Sequence, residues 1–395
     1  MYCYQECVVR SAYTRRLFYD LRVESVVSNK LDAVHDVLLM GPGPSCVYPD
    51  VYRALAHPTL GHLDPLFIAI MDDIKTLLRT LMQTTNRATL PMSGTGSAGM
   101  EAAFVNLVKP GDAVLVLVNG VFGKRMAEVA GRLRAQVDTL EFDWGTPVVP
   151  ETVAARLQMK DYALVAVVHA ETSTGVRNPV DKIGESVKMS GALYLVDAVT
   201  SLGGIPVHMD AWGIDLLYSG TQKCLSCPPG LAPLSCSERA LAKLRARTTP
   251  VPNWYLDLSL LLSYWEGAKR AYHHTAPINM LYGLYQALQC VMAEGLENVY
   301  ARHRNMHELL VAELGKLGLE ILVEPDYRLP MLNAVKVPAG VDEAGVRARL
   351  LGEHSIEIGA GLGPLAGKIW RVGLMGHTAR AVNVQRLIEA LRAEL

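Results

Sequence analysis

The feature that most constrains this chain is a set of strand-length runs with no polar face. Residues 113–118, 163–169, 192–197, 214–218 and 231–235 are almost continuously apolar, and helical patterns lie between them. A strand that is apolar on both sides is buried on both sides, as happens in a mostly parallel sheet covered by helices. Half of the 395 residues are apolar and only 19% are charged, enough for a large core and two domains of ordinary size. Ahead of the strands, Asp64-Pro65 suits a helix cap and first turn. Leu66, Ile70, Met71, Ile74, Leu77, Leu78 and Leu81 follow at helical spacing and predict a core face. Residues 99–108 read as a helix stopped by Lys109-Pro110-Gly111. Residues 278 to about 317 are mainly helical and lead into a smaller region. There, 320–323, 333–337, 356–358 and 369–374 read as strands, and 346–351 and 382–395 as helices.

Open parallel sheets bind ligands beyond the carboxyl ends of their strands. Two polar residues fall there. Asp197 closes the run 192–197, and Lys223 follows the run 214–218 through Ser219-Gly220-Thr221-Gln222. A Pro228-Pro229-Gly230 break comes soon after. Lys223 reads either as a turn lysine on the surface or as a desolvated amine whose lowered pKa makes it a nucleophile. Asp197 reads either as a helix cap or as the partner of a ring nitrogen. Together, a carboxylate for a pyridinium and a Schiff-base lysine are the protein's side of pyridoxal-phosphate chemistry. A third stretch, Ser93-Gly94-Thr95-Gly96-Ser97-Ala98, opens the helix at 99–108. By itself it is an ordinary small-residue turn, but a helix N-terminus with glycine beside it can also receive a phosphate. No Gly-Lys-Ser/Thr closes it, so it is not a nucleotide-binding phosphate loop.

With these pieces on view, the chain resembles the fold-type I, class V pyridoxal-phosphate aminotransferases. Within them it is most similar to the alanine–glyoxylate and serine–pyruvate (serine–glyoxylate) group. The likeness rests on Gly41-Pro42-Gly43-Pro44-Ser45, Gly61-His62-Leu63-Asp64-Pro65, Ser93-Gly94-Thr95-Gly96 and His169-Ala170-Glu171-Thr172-Ser173-Thr174-Gly175. Val196-Asp197-Ala198, Ser219-Gly220-Thr221-Gln222-Lys223, Tyr272-His273-His274-Thr275 and Gly361-Leu362-Gly363-Pro364 complete it, in family order from residue 39 to the end.

The resemblance implies an α/β fold-type I transferase: a large domain with a mostly parallel, seven-stranded-type sheet and a smaller C-terminal α+β domain. Its expected boundaries are 1–36 for an N-terminal extension or arm, 37–290 for the large domain and 291–395 for the small one. Lys223 is then the cofactor-bearing lysine and proton shuttle, and Asp197 the partner of the ring nitrogen. Thr95, Gly96 and Ser97 match the phosphate turn. Phe122, where many members carry tryptophan, matches the ring-stacking position. Thr172 and Gln222 match residues near the ring oxygen and the phosphate. Tyr272 and Thr275 match residues that reach the phosphate of a neighbouring subunit, so a homodimer with shared sites is expected. Arg371, a charge inside the apolar run Ile369-Trp370-Arg371-Val372, matches the substrate-carboxylate arginine, whose fork suits bidentate binding. No second arginine stands out for a distal carboxylate, which points to small donors such as alanine or serine, with glyoxylate or pyruvate as acceptor. Gly61-His62-Leu63-Asp64-Pro65 looks more like the alanine and serine members than the ureidoglycine ones.

Other classes fit less well. A cysteine desulfurase needs a mobile cysteine before its arginine, and no cysteine follows Cys290. A binding protein that had lost its chemistry would not need Lys223, Asp197 and Arg371 together. Net charge −1 without basic runs gives no electrostatic case for nucleic acid or an anionic membrane. No uncharged apolar run reaches the length of a membrane span. Seven scattered cysteines suit free thiols in a reducing cytoplasm. Cys224-Leu225-Ser226-Cys227 lacks the second pair of a zinc site, and His273-His274 lacks a third ligand, so no metal is expected. Residues 1–36 have no secretory apolar core, and Glu6, Asp20 and Glu24 oppose a transit peptide. An arm that wraps a partner and sequence upstream of another start are the two readings.

Overall fold

The structure, a computed structural model, describes residues 29–267 and 270–395. Most of the expected N-terminal arm, residues 1–28, lies outside the described residues. The chain divides into two compact units, 1–36 and 37–395. In the first, the described residues form one short 3-10 turn, Lys30–Ala33, capped by the side chain of Asn29.

The second unit is built on a seven-stranded sheet. Its strands are β1 (Ala88–Ser93), β2 (Ala113–Val118), β3 (Gln136–Glu141), β4 (Leu164–Val168), β5 (Leu193–Asp197), β6 (Leu216–Tyr218) and β7 (Leu231–Cys236). The spatial order is β1-β7-β6-β5-β4-β2-β3. Every pairing is parallel except those of β7, which runs antiparallel to β6 and β1. The reason lies in the connections. Helix α1 (Pro65–Met82) precedes β1; α2 (Gly96–Leu107), α3 (Val121–Arg132) and α4 (Val180–Ser190) then carry the chain across the sheet. Between β6 and β7 the chain turns back beside β6 without crossing the sheet, and a strand that returns without a crossover pairs antiparallel. Between β5 and β6, where the sequence leaves room for a short helix, the chain is a series of turns.

Neither β1 nor β3 was expected. β1 is buried but carries Thr89 and Pro91 inside its run. β3 holds the sheet edge, its residues are exposed or half-buried, and so it has no continuous apolar run to betray it. Helix α1 begins at the expected cap, with the Asp64 carboxylate accepting from the Leu66 amide at 2.8 Å. Of the expected core face, Met71, Ile74, Leu78 and Leu81 are buried and Ile70 and Leu77 half-buried, while Lys75 and Met82 are buried in addition. Phe67 is fully buried, whereas Leu66 is 62% exposed.

A second core forms among helices α5 (Leu296–Lys316), α6 (Glu343–His354) and α7 (Ala381–Glu394) and the antiparallel strands β8 (Leu332–Lys336), β9 (Gly359–Ala360) and β10 (Ile369–Gly373). Trp370, Val372 and Leu310 are among its buried residues. The strand expected at 320–323 reduces to a single bridge, Ile321 to Val335. Leu38–Leu39 pairs in parallel with Ile356–Glu357, and the Gly373 amide donates to the Met40 carbonyl at 2.7 Å. These bonds lead residues 41–44 past the end of β10 and towards Lys223.

Candidate active site

The carboxyl ends of β4, β5 and β6 meet the N-termini of α2 and α3, and the pocket between them is lined by Asp197, Lys223, Phe122, Thr172 and Gln222. Thr95, Gly96 and Ser97 line its other end. The structure therefore gathers eight of the residues singled out from the sequence into one cavity.

Asp197 ends β5 and is 3% exposed. Its Oδ1 accepts from the Val199 amide at 2.8 Å and its Oδ2 from the Tyr218 hydroxyl at 2.7 Å. Burial pushes its pKa up to about 6, and those two bonds, with the charges of Lys223 and Arg125, oppose the rise. Lys223 enters from the far side. Its amine donates to the Pro42 carbonyl, and the Ser45 hydroxyl donates to its own carbonyl at 2.7 Å. Burial, followed by repulsion from Arg371, lowers the amine to about 8. Gly43 lies against this side chain at φ +104°, and a Cβ there would stand 2.7 Å from Nζ. Only glycine combines that backbone with that space.

At the other end, Gly94 adopts φ +143° and turns the chain into α2. Thr95 caps α2 without a side-chain bond to its amides, and Thr95 and Ser97 are both exposed. The first-turn N–H groups of a helix have no intrahelical acceptor, so this end offers donors and a positive dipole. Gln222 Oε1 is buried and accepts no hydrogen bond from the described residues. Phe122, in the first turn of α3, is half-buried.

Arg371, on β10, is 7% exposed; Nε donates to the Ala360 carbonyl at 2.6 Å and Nη1 to the Thr172 carbonyl at 3.4 Å. Both acceptors are neutral, so among the described residues its charge meets no carboxylate at bonding distance. Burial lowers its pKa, against the pull of Glu171. Tyr272 and Thr275 stand apart. Both are exposed and neither lines the pocket of its own chain; their hydroxyls lie 3.3 Å from each other.

Sequence reasoning missed several groups. Tyr218 was read only as the end of a strand. The Pro42 carbonyl and Val199 amide are backbone groups, which residue type cannot announce. Arg125 was not singled out either: it lines the pocket one helical turn after Phe122, its guanidinium 5.1 Å from that ring. The spacing of three residues was the available signal. Its charge falls on Asp197 and not on Arg371, at the end away from a substrate carboxylate. Cys224 and Cys227 are buried free thiols, His273 stacks on Trp254 at 4.3 Å, and His274 bonds the Ser93 hydroxyl at 2.7 Å.

The donor set fits pyridoxal phosphate. A buried carboxylate faces one end, an unpartnered amide oxygen and a helix N-terminus lie at the other, and a lysine of lowered pKa reaches between them. Among the described residues no helix is long and apolar enough to cross a membrane.

Comparison with known proteins points the same way. A family model described as aminotransferase class-V matches residues 47–382. The chain is 39% identical over 375 residues to the (S)-ureidoglycine–glyoxylate transaminase of Bacillus subtilis (strain 168), with 90% of each chain covered. It is 42% identical over 361 residues to the alanine–glyoxylate aminotransferase of Callithrix jacchus, covering 91% of this chain and 87% of that one. It superposes on the crystal structure of alanine–glyoxylate aminotransferase from Nostoc sp. with TM-score 0.89 and 49% identity, over 92% of this chain and 98% of that one.

Proposed function

The chain belongs to the class-V aminotransferases, and we propose that it moves the amino group of alanine or serine to glyoxylate or pyruvate in two successive half-reactions. The family is pyridoxal-phosphate dependent. When bound, that cofactor supplies a carbonyl that receives the amino group and a ring that withdraws electrons from Cα.

Lys223 would hold it covalently and Asp197 would face its ring nitrogen. Thr95, Gly96, Ser97 and Gln222 would take the phosphate end, Thr172 the ring oxygen, and Phe122 one face of the ring. Tyr272 and Thr275 of a second copy would complete the phosphate site in a homodimer. Once free, the Lys223 amine can carry a proton to and from the substrate Cα, because its lowered pKa of about 8 makes either form accessible near neutral pH. The Pro42 carbonyl orients that amine. Arg371, buried beside neutral acceptors, would bind the carboxylate of either substrate. Buried free thiols fit a reducing compartment, and the cytoplasm is the proposed location.

The observation that carries the reading is one pocket lined by a buried carboxylate and a desolvated amine, with the buried Arg371 guanidinium bonded to the carbonyl of Thr172, which also lines it. The substrate choice rests on the glyoxylate-using relatives and on the lack, among the described residues, of a second arginine acting on Arg371. The test is a panel of donors, including alanine, serine and (S)-ureidoglycine, assayed against glyoxylate and pyruvate. Turnover of alanine or serine with glyoxylate supports the proposal. The Bacillus subtilis relative favours ureidoglycine as the second reading, and a clear preference for that donor would replace the first.

A further inference from the structure

Glu171 holds none of the roles above, yet it is fully buried at the edge of the pocket (0% exposed). It belongs to a two-stranded ribbon, Ala170–Glu171 with Val176–Arg177, that continues beyond β4. One carboxylate oxygen accepts from the Ser173 amide at 3.1 Å and the Ser173 hydroxyl at 2.5 Å. The other accepts from the amides of Phe122 at 3.2 Å and Gly123 at 3.4 Å. Those two N–H groups lie in the first turn of α3, where no intrahelical acceptor exists and a negative charge is favoured. The N-cap of α3 is Gly120, which has no side chain to do this work, and a Cβ there would stand 2.4 Å from the Glu171 carboxyl carbon. Ser173 adds a bond of its own, accepting from the Val121 amide at 3.0 Å.

A side chain from one element thus caps the helix of another, and the join lies at the site. Phe122 is held by its backbone at one end of Glu171. At the other end is the turn that carries Thr172, whose carbonyl accepts from Arg371. Burial pushes the Glu171 pKa up to about 7, and the donors that face both carboxylate oxygens oppose that rise.

We propose that Glu171 is a positioning residue for the transamination, seating the Phe122 ring and the Thr172–Arg371 pair in one register. The inference rests on the cofactor and carboxylate roles proposed above. A residue that only stabilised the fold would change melting temperature without moving the ring.

The test uses full-length protein with Phe122→Trp as a reporter. Bound pyridoxal phosphate should quench the added indole, read as the difference from the same protein carrying Phe122. Glu171→Gln places an amide NH2 against backbone N–H groups, and Glu171→Asp keeps the charge but falls a methylene short. In each, cofactor should remain attached to Lys223 while at least half of the quenching is lost. With Phe122 in place, kcat for the donor half-reaction should fall roughly 10- to 100-fold. Quenching equal to the reporter alone, with kcat within twofold of wild type, overturns the proposal even if the melting temperature drops. If neither variant folds, Ser173→Ala decides. It removes one donor to Glu171 and the acceptor of the Val121 amide, and the same losses should appear in smaller measure, about two- to fivefold in kcat. Unchanged quenching and kcat in that variant overturn the proposal. Failure of the reporter protein to take up cofactor would sink the cofactor assignment and this inference together. Uptake with unaltered quenching in the variants sinks this inference alone.

Discussion

The amine of Lys223 sits near pKa 8 because burial disfavours its charge and Arg371 repels it. An amine adds to a carbonyl only as the free base, and a depressed pKa means that this form grows as pH rises through about 8. Pyridoxal phosphate uptake by cofactor-free protein should therefore quicken about fivefold from pH 7 to pH 8 and level off above roughly pH 9. Stopped-flow recording of the visible band measures this, and a flat profile over that range contradicts the shift. Lys223→Ala should show no such band, and borohydride treatment should leave no cofactor mass on the protein. Arg371 gives the second residue-scale prediction. Truncating one partner of a desolvated charge pair costs about 2–5 kcal/mol, so Arg371→Ala should lower kcat/KM for the donor roughly 30- to 4,000-fold. Cofactor attachment should survive. Arg371→Lys should recover only part of the loss, because an ammonium lacks the planar fork. Single-turnover spectroscopy with alanine and then with glyoxylate reads both half-reactions, and wild-type behaviour in either would move the carboxylate site elsewhere.

Between residue and molecule stands the segment 41–44, which runs from the Leu38–Leu39 strand to the amine of Lys223. The Cβ of Gly43→Ala would fall 2.7 Å from Nζ and from Cδ, at a backbone angle of φ +104° that alanine rarely adopts. The variant should fold, with its far-UV spectrum intact, but attach cofactor at least tenfold more weakly. Attachment at wild-type strength would show that the segment can withdraw. That contact was not legible in advance, although Gly41-Pro42-Gly43-Pro44 was quoted as a motif, because which carbonyl meets the lysine is decided by a β-strand pairing far away in sequence. The strands β2, β4, β5, β6 and β7 were legible for the opposite reason. Each is buried on both faces, so every side chain reports the same environment. β1, buried yet interrupted by Thr89 and Pro91, escaped that rule, as did β3 at the edge and Leu66 on an exposed helix face, where burial depends on neighbours that local sequence does not encode. Lys223 and Asp197 were legible because a charge at the end of an apolar strand needs a cause. Glu171 had no role within its motif, since the Phe122 and Gly123 amides that it caps belong to a helix distant in sequence.

At the scale of the whole molecule, the resemblance implies a site shared between two protomers. Tyr272, 60% exposed, and Thr275 do not line the pocket of their own chain, and the resemblance has them complete that of a neighbour. They share a surface with Trp254, 60% exposed and stacked on His273, and with Tyr255, which packs edge-on to His274. Exposed aromatic groups gathered in this way mark an interface more often than a wetted face. The expected particle is a homodimer in which each pocket draws Lys223 from one copy and Tyr272 and Thr275 from the other. Sedimentation should show it, and added pyridoxal phosphate should raise the melting temperature by mass action. The sharper check is complementation. Lys223→Ala is expected to be inactive, and a Tyr272→Ala, Thr275→Ala double variant nearly so. In a mixed dimer with shared sites, one pocket collects every lesion and the other collects none. Co-expression in equal amounts, with half of the particles mixed and one intact pocket in each, should restore about a quarter of wild-type activity. Parents that stay inactive together, despite mixed dimers confirmed by mass spectrometry, would show that each pocket is built from a single chain.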